Sequence, residues 1–299
     1  MTRRTKPIFL VPEPSARDLA APAKRRLTFS AEAERLTHAR APDEEGQVIA
    51  VARSRGGIGA TMLAVNLAHQ LAAQGVKKGQ APRRVGLIDL DLQFGMVAGF
   101  LDLDPSPALY DMARSGAVPD ETFLDQSLQH TKDGLEVLCA PAAFAPLGAL
   151  GADQVTELIT LMQARCDYVV VDLPHALIDW VSPVLARASL MYLVTDLAVP
   201  SLQQARRLID AYHEENLALE IEVVVNHQSR PLMRSRVQQE AAKALDRDLS
   251  HWLPDDPRAA KEAADRGVPL ARIGRRSALS KAIAGLAKGR LAQSAARTN

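Results

Sequence analysis

The sequence predicts an α/β chain: a doubly wound, mostly parallel sheet with helices on both faces. Three observations predict it. From Gln47 onward, short aliphatic runs alternate with longer segments of helical periodicity, the β-α-β rhythm of a parallel sheet. Several of these runs end abruptly in polar or acidic residues, as strands do when they deliver side chains to a site beyond their carboxyl ends. Hydrophobic residues make up 47% of the chain but aromatics only 4%. The core must therefore be built from Ala, Val, Leu and Ile, which suits helices packed on buried strands.

Taken in order, residues 1–46 mix Pro, Ala, Arg and Glu, with one short apolar run at Ile8 to Val11. They read as a disordered or weakly structured arm carrying at most one short helix near Ala31–His38. The first residues hold no apolar stretch of signal-peptide type. Strand candidates follow at Val48–Ala52, Arg84–Leu90, Leu135–Leu138, Tyr168–Asp172, Met191–Thr195 and Ile221–Val225. Helix candidates lie between them at Ala60–Gln74, Ala152–Arg165, Asp179–Ala188, Ser201–Glu215 and Met233–Leu245. These elements make residues 47–292 one domain, followed by a frayed tail at 293–299. No apolar run approaches the ~18 residues that a membrane span needs.

The first strand runs into Ser54-Arg55-Gly56-Gly57-Ile58-Gly59-Ala60-Thr61 and then into the helix formers Met62-Leu63-Ala64. A strand feeding a Gly-rich turn that opens a helix is a phosphate cradle: the glycines admit the anion and free N–H groups point at it. Thr61 falls where a phosphate loop places its magnesium-binding hydroxyl. The pattern GxxxxGK[ST] nevertheless requires Lys at 60 and Gly at 54, where Ala60 and Ser54 stand. By itself the segment also fits a plain β-α turn that binds nothing. Two later strands add weight to the cradle. Val85 to Asp91 ends in carboxylates at 89 and 91, on one face of a strand, and Tyr168 to Asp172 ends in a third. Acids at strand ends beside a phosphate loop are what a metal ion and an attacking water require.

These motifs resemble those of the MinD/ParA ATPases. Arg55 to Thr61 looks like their deviant Walker A, which normally reads KGGxGKT. Asp89-Leu90-Asp91-Leu92-Gln93-Phe94-Gly95 is similar to their Walker A′, and Val170-Val171-Asp172-Leu173-Pro174 to their Walker B. The wording most resembles the CpaE/TadZ branch, which serves Flp/Tad-type pilus assembly and polar localisation, and the likeness extends over about residues 47–292. The resemblance implies ATP and Mg²⁺ as ligands, with Gly56, Gly57, Ile58, Gly59, Ala60, Thr61 and Met62 around the phosphates. Thr61, Asp89 and Asp172 would hold the metal, Asp91 would orient the attacking water, and Asn226 would meet the adenine edge. Asn226 also reads simply as a turn residue after a strand. Arg55 would reach across a homodimer to the partner's nucleotide, a role that its fork-shaped head suits. Ala60 cannot supply the in-site cation, so hydrolysis is expected to be weak.

The resemblance further implies a nucleotide-gated homodimer working with pilus-assembly and secretion proteins. Many CpaE-like chains carry a receiver-like domain at the amino end, for which residues 1–46 are too short. Two readings of other classes stay open: a non-hydrolysing scaffold, and a ParA-like DNA-partitioning ATPase. The net charge of +1 argues against bulk attraction to nucleic acid.

Ala271 to Asn299 holds seven basic and no acidic residues, with Leu279, Ala282, Ile283, Leu286 and Ala287 at helical spacing. This helix fits either packing on the domain with a solvated basic face or peripheral contact with anionic lipid at the inner membrane. Cys139 and Cys166 form no pair motif, which is consistent with a reducing cytoplasm. Cys166 and His175 are read as structural, having no nucleophile or base partner in sequence view.

Overall fold

The computed structural model describes residues 45–74, 82–274 and 277–298. The arm expected at 1–46, with its short helix, lies outside them apart from Glu45 and Gly46. Gly46 is buried, and its N–H donates to the Gln163 carbonyl at 3.0 Å.

The chain runs β1 Gln47–Arg53, α1 Ala60–Ala73, β2 Val85–Asp89, α2 Val97–Leu101, α3 Ala108–Ser115 and α4 Glu121–Ser127. Next come β3 Gln129–His130, β4 Leu135–Leu138, α5 Ala152–Arg165, β5 Tyr168–Asp172, α6 Ser182–Arg187 and β6 Ala188–Thr195. The last third holds α7 Val199–Glu215, β7 Ile221–Val225, α8 Arg236–Leu245, β8 His251–Trp252, α9 Pro257–Asp265, α10 Leu270–Ile273 and α11 Ala278–Thr298. The strands form a single sheet in the order β3-β4-β2-β5-β1-β6-β7-β8, parallel throughout except for the β3–β4 pair. The doubly wound α/β expectation therefore holds.

β1 lies at the centre, and its alternation shows why both faces need helices. Val48, Ala50 and Ala52 join the core beneath α3 to α8, whereas Ile49 and Val51 join the core beneath α1, α2 and α9 to α11. A strand buried on both sides cannot show polar alternation, so its sequence reads as an unbroken aliphatic run. β2 and β5 are likewise buried at every position. The parallel register brings Asp89 beside Asp172 at the carboxyl ends of β2 and β5.

Each strand and helix read from the sequence within the described residues is present, with shifts at the ends. α8 starts at Arg236 rather than Met233, because the Ser235 hydroxyl accepts the Gln238 N–H and Gln238 returns the bond in a capping box. The Asp179–Ala188 segment is a 3₁₀ turn at Asp179–Val181 that leads into α6. The elements missed are short: α2, α3, α4, α9, α10 and the two-residue strands β3 and β8.

The end of the chain differs from expectation. Instead of fraying at 293–299, α11 continues to Thr298, and the Ser294 hydroxyl donates to Gln47 Oε1 at 2.8 Å, tying the helix to the start of β1. Leu279, Ile283, Leu286 and Ala287 are buried in the core shared with α1. The apolar stripe is therefore used on the domain and is not free for lipid. Arg290, off that stripe, is also buried, 1% exposed, and donates to Ser189 Oγ at 2.5 Å.

Candidate functional site

The loop between β1 and α1 turns at the carboxyl edge of the central strand. Gly57 and Gly59 both take left-handed backbone angles, φ 72° and 91°, which only glycine adopts without strain. At Gly59 a side chain would also collide with Asn226, since a Cβ there would lie 2.5 Å from Asn226 Nδ2. The Asn226 amide donates to the Ile58 carbonyl at 2.8 Å, and its Oδ1 accepts the His227 N–H at 2.9 Å. Asn226 thus clamps the loop from the end of β7. α1 begins with no side-chain cap and no acidic residue in its first turn, which leaves its first N–H groups available to an anion.

These features open on a cavity of about 570 Å³, lined by Gly56 through Met62, Arg53, Asp91 and a partly apolar rim that includes Phe94, Met96 and His175. This size suits a nucleotide-scale ligand. His175, read as structural, therefore stands at the cavity. Asn226 instead lines a second hollow of about 560 Å³ with Asp196, Leu197, His227 and Gln238.

Arg53 is the residue that sequence reading passed over. It ends β1 with its side chain only 10% exposed, and Nη2 donates to Asp172 Oδ1 at 2.7 Å. Nη1 lies 3.6 Å from Asp91 Oδ2. Arg53 Nε is buried without an acceptor, a condition that costs roughly 1–3 kcal/mol unless something fills it. Nothing in the linear sequence marks this arginine, because it follows the buried apolar run Val48–Ala52 and reads as the ordinary end of a strand.

The carboxylates are engaged one by one. The Thr61 hydroxyl donates to Asp172 Oδ2 at 2.6 Å. Burial pushes Asp172 above the ordinary carboxylate range, against the pull of the Arg53 charge and the Thr61 bond. Asp89 was expected to hold a metal, but it faces the backbone: Oδ1 accepts the Asp91 N–H at 3.1 Å and Oδ2 the Val97 N–H at 3.0 Å. Burial, with the nearby Asp172 charge, pushes Asp89 up to about 8. Its work here is to fold the loop that leads into α2. Asp91 Oδ1 accepts the N–H groups of Gln93 and Phe94.

Magnesium is the ion this class of loop implies, and Thr61 beside Asp172 is the right pair of donors for it. As placed, the set does not fit a divalent ion. Both oxygens of Asp172 and of Asp89 are in hydrogen bonds, and the free edge of Asp91 faces a guanidinium.

Arg55, expected to reach a partner, is instead held within its own chain. Its side chain is 46% exposed, and Nη2 pairs with Asp196 Oδ2 at 2.6 Å while Nε donates to Ser201 Oγ at 3.2 Å. Partial burial opposes the charge on Asp196, but the bonds from Ser201 and Arg55 prevail and hold its carboxyl below the usual range. Ser54, in place of a loop glycine, is fully buried and donates to Thr195 Oγ1 at 3.0 Å. Both cysteines are buried and unpaired with each other. Burial and the charge of Asp89 push Cys139 up to about 12, so the acidity of a nucleophile is absent there.

No family model matches the chain. It is similar to the septum site-determining protein MinD of Bacillus subtilis (strain 168), 24% identical over 231 residues, covering 76% of this chain and 82% of that protein. Among solved structures it matches a ParA family ATPase from Chlorobium tepidum TLS with a TM-score of 0.69 at 24% identity, covering 81% of this chain and 98% of the other. It also matches MinD complexed with Mg-ADP from Pyrococcus horikoshii OT3, with a TM-score of 0.66 at 20% identity and coverage of 82% and 95%. The fold is that of the MinD/ParA ATPases. Among the described residues, no helix is long and apolar enough to cross a membrane.

Proposed function

We propose that this chain, a MinD/ParA fold with a lysine-free phosphate loop, binds ATP and uses its occupancy, rather than rapid turnover, to gate a homodimer. The observation that carries the reading is the uncapped start of α1, where the left-handed glycines open on a cavity of about 570 Å³ beside Arg53. An anion with the reach of a triphosphate finds there backbone N–H donors, a helix terminus and a side-chain cation.

Slow turnover has two supports. Ala60 brings no charge to the phosphates, and Asp91 has Oδ1 bonded to two backbone N–H groups while Oδ2 faces the Arg53 guanidinium at 3.6 Å, so a water oriented there must compete with that charge. The dimer reading is supported by the apolar mouth of the site, where Phe94 and Met96 are 69% and 56% exposed. Arg55 would have to exchange Asp196 and Ser201 for the partner's phosphates, which makes its release part of the gate. The likeness of the three motifs to the CpaE/TadZ branch supports service to Flp/Tad-type pilus assembly. The engagement of Asp91 also favours the second reading, a non-hydrolysing scaffold.

Equilibrium binding of a fluorescent ATP analogue and sedimentation with and without ATP test this together. Binding with a doubling of mass, lost in Arg55→Ala while binding persists, is the expected result. Binding with unchanged mass leaves only the scaffold, and the absence of binding removes the nucleotide reading altogether.

A further inference from the structure

Counting hydrogen bonds at the carboxylates leads beyond nucleotide binding as such. A magnesium-dependent phosphate loop seats its ion between a loop hydroxyl and a strand-end carboxylate. Here the Thr61 hydroxyl and the Arg53 guanidinium take the two oxygens of Asp172, and Arg53 also faces Asp91. The seat of the divalent ion is thus filled by a cation belonging to the chain, one that never loses its proton. A metal ion entering from solvent would have to break a buried ion pair. Arg53 Nε, meanwhile, lies buried beside the cavity with no acceptor. A buried donor of this kind is costly unless a ligand supplies the missing oxygen.

We propose that Arg53 is the resident counter-cation of this site, so that the loop binds a nucleoside polyphosphate without a divalent metal ion. The guanidinium keeps Nη2 on Asp172 and turns its unpaired Nε edge to a phosphate oxygen. Charge that a lysine at 60 and a magnesium ion would divide between them is supplied from the end of β1. The inference rests on the nucleotide-binding reading above and adds to it the source of positive charge.

The test is equilibrium binding of a fluorescent ATP analogue to the full chain, in EDTA and again in excess Mg²⁺. For the wild type the two affinities should agree within about threefold, a difference of less than one tenfold step. Arg53→Ala should bind roughly tenfold to a hundredfold more weakly in EDTA, the range for losing one charged contact. It should regain part of that in Mg²⁺, because Asp91 and Asp172 are then open to the ion. Thermal melting without ligand reports whether removing one partner of the buried pair has unfolded the variant. If it has, Arg53→Lys carries the test: it keeps the charge but loses the fork, and an intermediate loss with partial Mg²⁺ rescue is expected. Wild-type binding that needs Mg²⁺ overturns this inference and leaves ATP binding standing. Wild-type binding in neither buffer overturns both. A variant that binds in EDTA as well as the wild type removes Arg53 from the phosphate site.

Discussion

The two ends of α1 share one helix and do opposite work. At its start, Ala60 and Thr61 follow two left-handed glycines, no side chain caps the helix, and an arginine and three carboxylates crowd the neighbouring strand ends. Along the rest of the helix, Leu63, Leu67 and Leu71 are wholly buried in the core to which α11 contributes Leu279, Ile283 and Leu286. The Gln74 amide closes that end by donating to the Ala284 carbonyl at 3.0 Å. One end keeps unsatisfied donors and a turn open only to glycine, features that cost stability and persist where a ligand uses them. The other is filled by wholly buried leucines, although His69 Nδ1 there is buried without a hydrogen bond. The difference teaches that the proposed nucleotide site sits at the open end of a helix whose far end is anchored in the core.

That division predicts separable effects. The largest should come from Ile283→Ala. Ile283 is 0% exposed, and emptying such a position costs about 2–5 kcal/mol of folding stability. Urea denaturation should show the loss, while ATP-analogue affinity of the folded fraction stays unchanged. A matching fall in affinity would mean that the two ends are coupled.

Next in size is Gly59→Ala at the other end. The left-handed angle costs an alanine roughly 1–2 kcal/mol, and the new methyl must push Asn226 off the Ile58 carbonyl. Nucleotide affinity should fall about tenfold or more, with a smaller drop in melting temperature than Ile283→Ala produces. Affinity equal to wild type would show that the loop does not grip its ligand through this turn.

The smallest effect sharpens the packed end. Burial lowers the pKa of His69 below 6.5, against the charge of Asp133 and with help from Arg272. A histidine whose folded pKa is depressed takes its proton first in the unfolded chain, so stability is lost as pH falls below 6.5 toward the folded value. His69→Gln should therefore lose less melting temperature between pH 7 and pH 5 than the wild type. Equal losses would show that His69 does not titrate in that window.

The sheet and the loop were legible in the order of the residues. Continuous aliphatic runs alternating with helical patterns read as strands covered on both faces, and Gly56 to Thr61 between a strand and a helix reads as a Gly-rich turn of phosphate-cradle type. Short pieces such as α2 and β8 stayed hidden, because so few residues show no periodicity and take their shape from the neighbours they touch. The use of the polar side chains became visible only once the chain was folded. Asp89 and Asp91 look alike two positions apart, yet one is folded inward onto the Val97 backbone and the other faces the cavity. Asn226 and Gly59 are distant in sequence and lock together in space. Arg53 looks like the end of a strand until β2 and β5 bring Asp91 and Asp172 to its guanidinium. The physical reason is that backbone periodicity is local and is written residue by residue, whereas a buried charge takes its role from whichever partners the fold places within a few ångströms.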